Sequence, residues 1–148
     1  MNTTIWLRIS AIVSLLFTIG HFLGGMQNWS PMPDNPVLLA MRTVHFDIMG
    51  MSRSYLDLYM GFGYSITVSL LLQSVLLWIL ASIARTHAAL VRPMIAAFAL
   101  AAALSGVIAW KYIFLIPAIL CLALCATLIM ALISVHRSQV LAVRGTQR

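Results

Sequence analysis

Four long apolar runs alternate with shorter polar segments along this chain of 148 residues. The runs cover residues 5–23, 56–84, 91–109 and 113–135. A helix needs roughly 20 apolar residues to cross a hydrocarbon layer of about 30 Å. Backbone groups inside lipid must be hydrogen-bonded within the protein, so we expect each run to be a helix. The pattern therefore predicts an all-α fold, an antiparallel bundle of four transmembrane helices in a single integral membrane domain.

Composition points to the same class of protein and excludes others. Hydrophobic residues make up 62% of the chain and charged residues only 8%, with a mean hydropathy of +1.01. A soluble domain carries about 25% charged residues, so nine basic and three acidic side chains cannot cover a water-facing surface. The net charge of +6 reflects the scarcity of carboxylates rather than a basic cluster, and nucleic-acid binding is not expected.

The distribution of basic residues predicts the orientation. An even number of spans places both termini on one side. That side carries Arg8, Arg85, Arg92, Arg137, Arg144 and Arg148, whereas the other carries Arg42, Arg53 and Lys111. Because cytoplasmic loops are enriched in Lys and Arg, we expect both termini and the tail 136–148 in the cytoplasm, with the protein in the inner (plasma) membrane and the loop 24–55 outside. The first span lacks a convincing cleavage site, so we expect it to be retained.

The loop 24–55 contains a segment with two competing interpretations. Residues 29–36 are rich in proline and predict turns, with Trp29 at the outer interface and Asp34 on the outer side. Apolar residues then recur at helical spacing, at Val37, Leu38, Met41, Val44, Ile48 and Met51. This stripe favours a short amphipathic helix lying in the membrane interface. Residues 44–48 also alternate with period two, which is typical of a strand.

Polar residues inside the spans favour packing roles. Ser65, Ser69 and Gln73 are spaced four residues apart, so they should face protein and form interhelical hydrogen bonds; a polar path is the alternative. Cys121 and Cys125 lie one turn apart on a predicted helix, which disfavours a mutual disulfide. We expect both to be buried small hydrophobes and predict no metal site.

The remaining polar residues cluster on the predicted outer side and define the candidate site. They are His21, Arg42, His45, Asp47, Arg53, Asp57, Tyr59 and Lys111. In a four-helix bundle these positions can converge on one outward-facing vestibule. No catalytic motif is present, and no catalytic residue is assigned.

Asp57 and His21 each have a structural and a functional interpretation. Asp57 can pair with Arg53 along one helix face and stabilise the helix dipole, but an ionisable residue within a span also marks a functional site. His21 can hydrogen-bond the loop backbone. It can also accept a proton, contact a quinone oxygen, or ligate haem iron with His45 as the second ligand.

The first span resembles that of DoxX-like proteins, which are small four-helix bacterial inner-membrane proteins. The resemblance rests on Arg8 before an apolar run that ends in Phe17, Gly20, His21 and Phe22. It implies a link to thiosulfate–quinone oxidoreduction or to membrane redox complexes.

Three functions follow as hypotheses. The first is an accessory or binding protein, not an enzyme, that holds a lipid, a quinone or a partner helix at the vestibule. The second is a redox subunit acting on quinone, with His21 and Asp57 handling the proton. The third is a small transporter or channel formed by several copies of the chain.

Overall fold

The computed structural model describes residues 2–26, 32 and 35–146, with the backbone alone for 138–146. Its elements in chain order are α1 (Thr3–Gly20), a π-helical segment (His21–Met26), α2 (Pro36–Thr43), β1 (His45–Ile48), β2 (Met51–Ser54), α3 (Tyr55–Ile83), α4 (Ala88–Tyr112) and α5 (Leu115–Thr146). The predictions for Trp29 and Asp34 lie outside the described residues.

Four helices are long and apolar enough to cross a membrane. They are Thr3–Met26, Tyr55–Ile83, Ala88–Tyr112 and Leu115–Arg137. Many of their large apolar side chains are exposed, which a lipid environment tolerates and water does not. The prediction of an all-α fold with four spanning helices is confirmed, and the chain is a multi-pass membrane protein. The first of these helices continues to Met26, three residues beyond the predicted end.

The chain divides into two compact units, which are described separately. The first comprises Met1–Phe17 and Leu71–Arg148. Within it, segments of α1, α3, α4 and α5 pack around one apolar core. The largest fully buried side chains of this core are Leu7, Leu77, Ile95, Leu128, Val91 and Val135. This unit is the predicted four-helix bundle.

Hydrogen bonds also join the helices of the bundle. The Ser74 hydroxyl donates to the carbonyl oxygen of Ala11 at 2.9 Å, and Gln73 Nε2 donates to Ser14 Oγ at 3.0 Å. The Ser10 hydroxyl donates to Thr127 Oγ1 at 2.8 Å. In lipid such bonds add cohesion because the hydrophobic effect between helices is absent.

The predicted stripe on α3 is therefore only partly correct. Gln73 reaches another helix, but the hydroxyls of Ser65 and Ser69 are exposed and donate to backbone carbonyls one turn earlier on α3 itself. The second interhelical bond of α3 comes from Ser74, the residue next to Gln73, and not from Ser69. A serine in a helix can satisfy its own hydroxyl this way without a partner helix.

Small residues bring α4 and α5 close together. A Cβ added at Gly106 would lie 3.3 Å from the Cβ of Cys121, so the glycine permits this approach. Cys125 Sγ lies 3.6 Å from the carbonyl oxygen of Ala99 and donates a weak hydrogen bond to it. Both cysteines are free. Cys121 is buried as predicted, whereas Cys125 is only half-buried.

The second unit, Thr18–Leu70, contains the short helix and the hairpin. The Asn35 side chain caps α2 by accepting a hydrogen bond from the Val37 amide at 2.9 Å, and Pro36 occupies the first helical position. Strands β1 and β2 pair antiparallel, with His45 opposite Ser54 and Ile48 opposite Met51.

The predicted helix through Met51 ends eight residues early. The chain leaves the helix at Val44, whose backbone is extended (φ −79°, ψ 114°), and enters β1 at His45. From Val44 onward the alternating pattern determines the structure, because Val44 and Phe46 favour extended backbone. The hairpin turns at Met49 and Gly50, both with positive φ, as a two-residue type I′ turn requires.

Candidate functional site

His21 is held by a residue that lies 46 positions away in sequence. Its Nδ1 is 2.8 Å from Thr67 Oγ1, and the Thr67 hydroxyl donates to the carbonyl oxygen of Gly63 at 3.2 Å. A hydroxyl has one proton, so both contacts are hydrogen bonds only when Nδ1 carries a proton and donates it. The neutral imidazole then presents Nε2 as an acceptor. Among the described residues, His21 thus bonds the Thr67 side chain, and the predicted bond to the loop backbone is not seen there.

The π-helical segment sets the position of the ring. Single turns of π-helix are rare and occur frequently at functional sites. A Cβ added at Gly25 would lie 3.7 Å from Cδ2 of His21, in ordinary contact with the imidazole. At the end of the segment, Met26 is buried against Gly63, where an added Cβ would overlap the methionine sulfur. Gly63 therefore fixes both the π-helical segment and, through its carbonyl, the orientation of Thr67.

Aromatic rings lie beside this arrangement. The centroids of Phe22 and Tyr64 are 6.4 Å apart, and both side chains are exposed. His21 itself is half-buried. The site, defined here as the His21 site, combines one hydrogen-bond acceptor with apolar and aromatic surface. Such a surface suits an amphiphile whose polar head carries a proton donor.

Asp57 has a structural partner that the sequence analysis overlooked. Its carboxylate accepts a hydrogen bond from the Ser54 amide at 2.9 Å, and the Ser54 hydroxyl accepts one from the Asp57 amide at 3.1 Å. This reciprocal pair is a capping box at the start of α3. Arg53 lies on β2, so the predicted pairing along one helix face does not form, although the Arg53 charge still acts on the Asp57 carboxylate. The Arg53 guanidinium donates to the Ser52 carbonyl oxygen.

The other candidate residues do not contact His21 directly in any described hydrogen bond, but His45 lies within electrostatic range of the Asp57 carboxylate. His45 and Asp47 share one face of β1 and are exposed, and His45 Nδ1 donates to the Thr43 carbonyl oxygen at 2.9 Å. Arg42 is exposed in the last turn of α2, and Tyr59 is exposed in the second turn of α3. Lys111 belongs to the first unit, in the last turn of α4, with Nζ 5.1 Å from the Tyr112 ring centroid. The described residues contain no group of three or more His, Cys, Asp or Glu placed to hold a metal ion.

Sequence reasoning missed three residues of these sites. The capping box has a recognisable signal, since Ser54 and Asp57 have the spacing of a helix N-terminus. Thr67 and Met26 have none, because their roles depend on contacts between distant segments.

Two apolar grooves lie in the first unit. The α1–α3 groove has a volume of about 280 Å³ and is lined mainly by Ile12 and Leu15 of α1 and by Leu71, Val75 and Trp78 of α3. The α4–α5 groove, of about 360 Å³, is lined in part by Gly106, Trp110 and the two cysteines.

Comparison of the chain with protein-family models, with curated proteins and with solved structures finds no match.

Proposed function

We propose that this chain is an accessory membrane protein, not an enzyme, that binds the polar head of a membrane-soluble amphiphile of the quinol class at the His21 site. The observation that carries the proposal is the bond from His21 Nδ1 to Thr67, which leaves Nε2 as an acceptor in apolar surroundings. A polar side chain in a span costs free energy and is commonly functional.

The tautomer defines the ligand chemistry. A quinol hydroxyl donates a hydrogen bond to a neutral Nε2, whereas an oxidised quinone offers only carbonyl acceptors. The proposal therefore includes a preference for the reduced form. Phe22 and Tyr64 supply aromatic surface for the ring of such a ligand.

The redox hypothesis draws support from the same imidazole, which can take the proton that a quinol releases on oxidation. Asp57 gives the redox hypothesis no further support, because its carboxylate and its backbone amide are both hydrogen-bonded to Ser54. We therefore rank a role as a DoxX-like redox subunit below ligand binding at the His21 site. For location we propose a bacterial inner membrane, with both termini cytoplasmic as the six arginines on that side indicate.

The test is a titration of purified protein in mild detergent with decylubiquinol and, separately, with decylubiquinone. We expect tighter binding of the quinol and a loss of about fivefold in affinity for His21→Ala, the worth of one net hydrogen bond of about 1 kcal/mol. Thr67→Val should weaken binding as well, since Nδ1 then lacks its acceptor. His87→Ala removes a histidine that contacts Thr86 in the turn after α3 and serves as the matched control.

Equal affinity for the two redox forms would contradict the assigned tautomer. Unchanged quinol binding by His21→Ala would exclude the His21 site as the binding site. Steady oxidation of the quinol by the purified protein would move the redox hypothesis to first place.

A further inference from the structure

Arg8 carries a positive charge inside the first spanning helix, and its unit offers that charge no acidic partner. It is the sixth residue of α1 and is half-buried. The acidic residues of the chain are Asp34, Asp47 and Asp57, and all three fall within Thr18–Leu70. The unit that contains Arg8 therefore has no acidic side chain. A guanidinium in an apolar span is costly unless an anion compensates it.

Among the described residues, the Arg8 guanidinium contacts an aromatic ring rather than a carboxylate. Arg8 Cζ lies 5.3 Å from the centroid of the Trp78 ring, within the range of a cation–π contact. Arg8 Nε is buried and has no hydrogen-bond partner among the described residues. One turn earlier, Thr4 is 5% exposed and its hydroxyl oxygen likewise has no partner in the described part of the chain. Two positions one turn apart on α1 thus carry buried hydrogen-bonding groups that have no partner among the described residues.

One residue that lines the α1–α3 groove also contacts the Arg8 charge. Trp78, which contacts Arg8, is also part of the groove wall. Arg8, Ile12 and Leu15 follow one another on one face of α1, and the distance from Arg8 to Leu15 along the helix axis is about 10 Å at 1.5 Å per residue. The groove therefore lies close to a positive charge near the start of the span and has an almost wholly apolar lining.

We propose that Arg8 and the α1–α3 groove bind an anionic phospholipid, with its phosphate on the Arg8 guanidinium and part of one acyl chain in the groove. A phosphate accepts two parallel hydrogen bonds from a guanidinium, and its charge supplies the missing counterion. A zwitterionic lipid brings its own ammonium group, so a net anionic headgroup is preferred. This site lies in the other unit from the His21 site, and the proposal goes beyond the proposed function and does not depend on it.

The experiment is native mass spectrometry of the protein released from micelles that contain equal amounts of phosphatidylglycerol and phosphatidylcholine with identical acyl chains. We expect phosphatidylglycerol to be retained about tenfold over phosphatidylcholine, the effect of one charge-assisted contact. Arg8→Gln should bring the two lipids close to parity. Arg92→Gln removes an exposed arginine from the same unit and should leave the preference intact.

Further variants distinguish binding of the lipid headgroup from binding of its acyl chain, and a loss of binding from a loss of folding. Val75→Trp fills the groove and should reduce phosphatidylglycerol retention while Arg8 is intact. If Arg8→Gln does not fold, Arg8→Lys keeps the charge but loses the two-pronged contact, and an intermediate preference is expected.

Three results would overturn the proposal. They are equal retention of the two phospholipids by the unaltered protein, equal retention of a diacylglycerol with the same chains, and displacement of phosphatidylglycerol by millimolar inorganic phosphate. The last result would identify a site for free phosphate rather than for a lipid.

Discussion

At the scale of single residues, two glycines two positions apart on α3 have opposite surroundings. A Cβ at Gly63 would overlap the sulfur of Met26, whereas a Cβ at Gly61 would meet no atom within 4 Å. Met26 is 6% exposed, so its sulfur and terminal methyl must move to another position within a packed site if Gly63 gains a side chain. The absence of one carbon atom at Gly63 thus makes room for the end of the Met26 side chain.

We predict opposite effects of the two alanine substitutions. Gly61→Ala should raise the free energy of unfolding by about 0.5–1 kcal/mol, because alanine is the better helix former. Gly63→Ala should lower it by about 1 kcal/mol relative to the unaltered protein, because the site becomes overpacked. Unfolding by sodium dodecyl sulfate in mixed micelles measures both. Adding Met26→Ala to Gly63→Ala should recover part of the loss; no recovery would mean that the methionine is not the obstacle.

At the scale of elements, β2 passes directly into α3 and Ser54 belongs to both. As the last residue of the strand it pairs with His45, and as the residue before the helix it exchanges two hydrogen bonds with Asp57. Ser54 is 3% exposed, so its polar atoms depend on these partners. The carboxylate of Asp57 thereby has a structural task in the first turn of α3.

Ser54→Ala should release the start of α3. The amide of Asp57 loses its acceptor, and we expect a stability loss of about 1 kcal/mol, typical for removal of a helix cap. Hydrogen exchange should show faster exchange at the amide of Asp57. Ser52→Ala alters an exposed serine on the same strand and should leave the rate unchanged. Identical rates in both variants would mean that the cap does not hold the helix end.

The short elements also show where prediction from sequence succeeds and where it ends. The four long helices could be predicted because length and apolar content alone define a span. The segment 37–51 could not, because Val44, Ile48 and Met51 fit both a helical stripe and an alternating strand. The partner of His21 could not be found either, since nothing near His21 in sequence indicates Thr67.

At the scale of the whole molecule, the chain makes four helical passes and carries its basic residues unevenly along its length. Six arginines lie toward the two ends of the chain and around the connection between α3 and α4, with Arg85 in the turn and Arg92 in α4, and two more lie in the segment between the first two spans. Because one spanning helix separates Asn2 from the hairpin residue Met49, we expect the two residues on opposite sides of the membrane.

Cysteine labelling tests this topology. In a background that lacks Cys121 and Cys125, Met49→Cys should react with a membrane-impermeant maleimide on spheroplasts whose cytoplasmic membrane is intact. Asn2→Cys should react only after the membrane is opened. The reverse pattern would contradict the positive-inside assignment, and reaction of both sites from outside would contradict the number of spans.

The absence of acidic side chains from Met1–Phe17 and Leu71–Arg148 has a consequence for ionic strength. The four helix segments of this unit are held by apolar packing and by bonds such as that from Ser74 to Ala11, not by attraction between opposite side-chain charges. Dissolved salt screens interactions between charges and leaves packing and neutral hydrogen bonds largely unaffected. The bundle therefore keeps its stability from low to high salt concentration, and salt acts on this unit mainly where its arginines meet charges outside the unit.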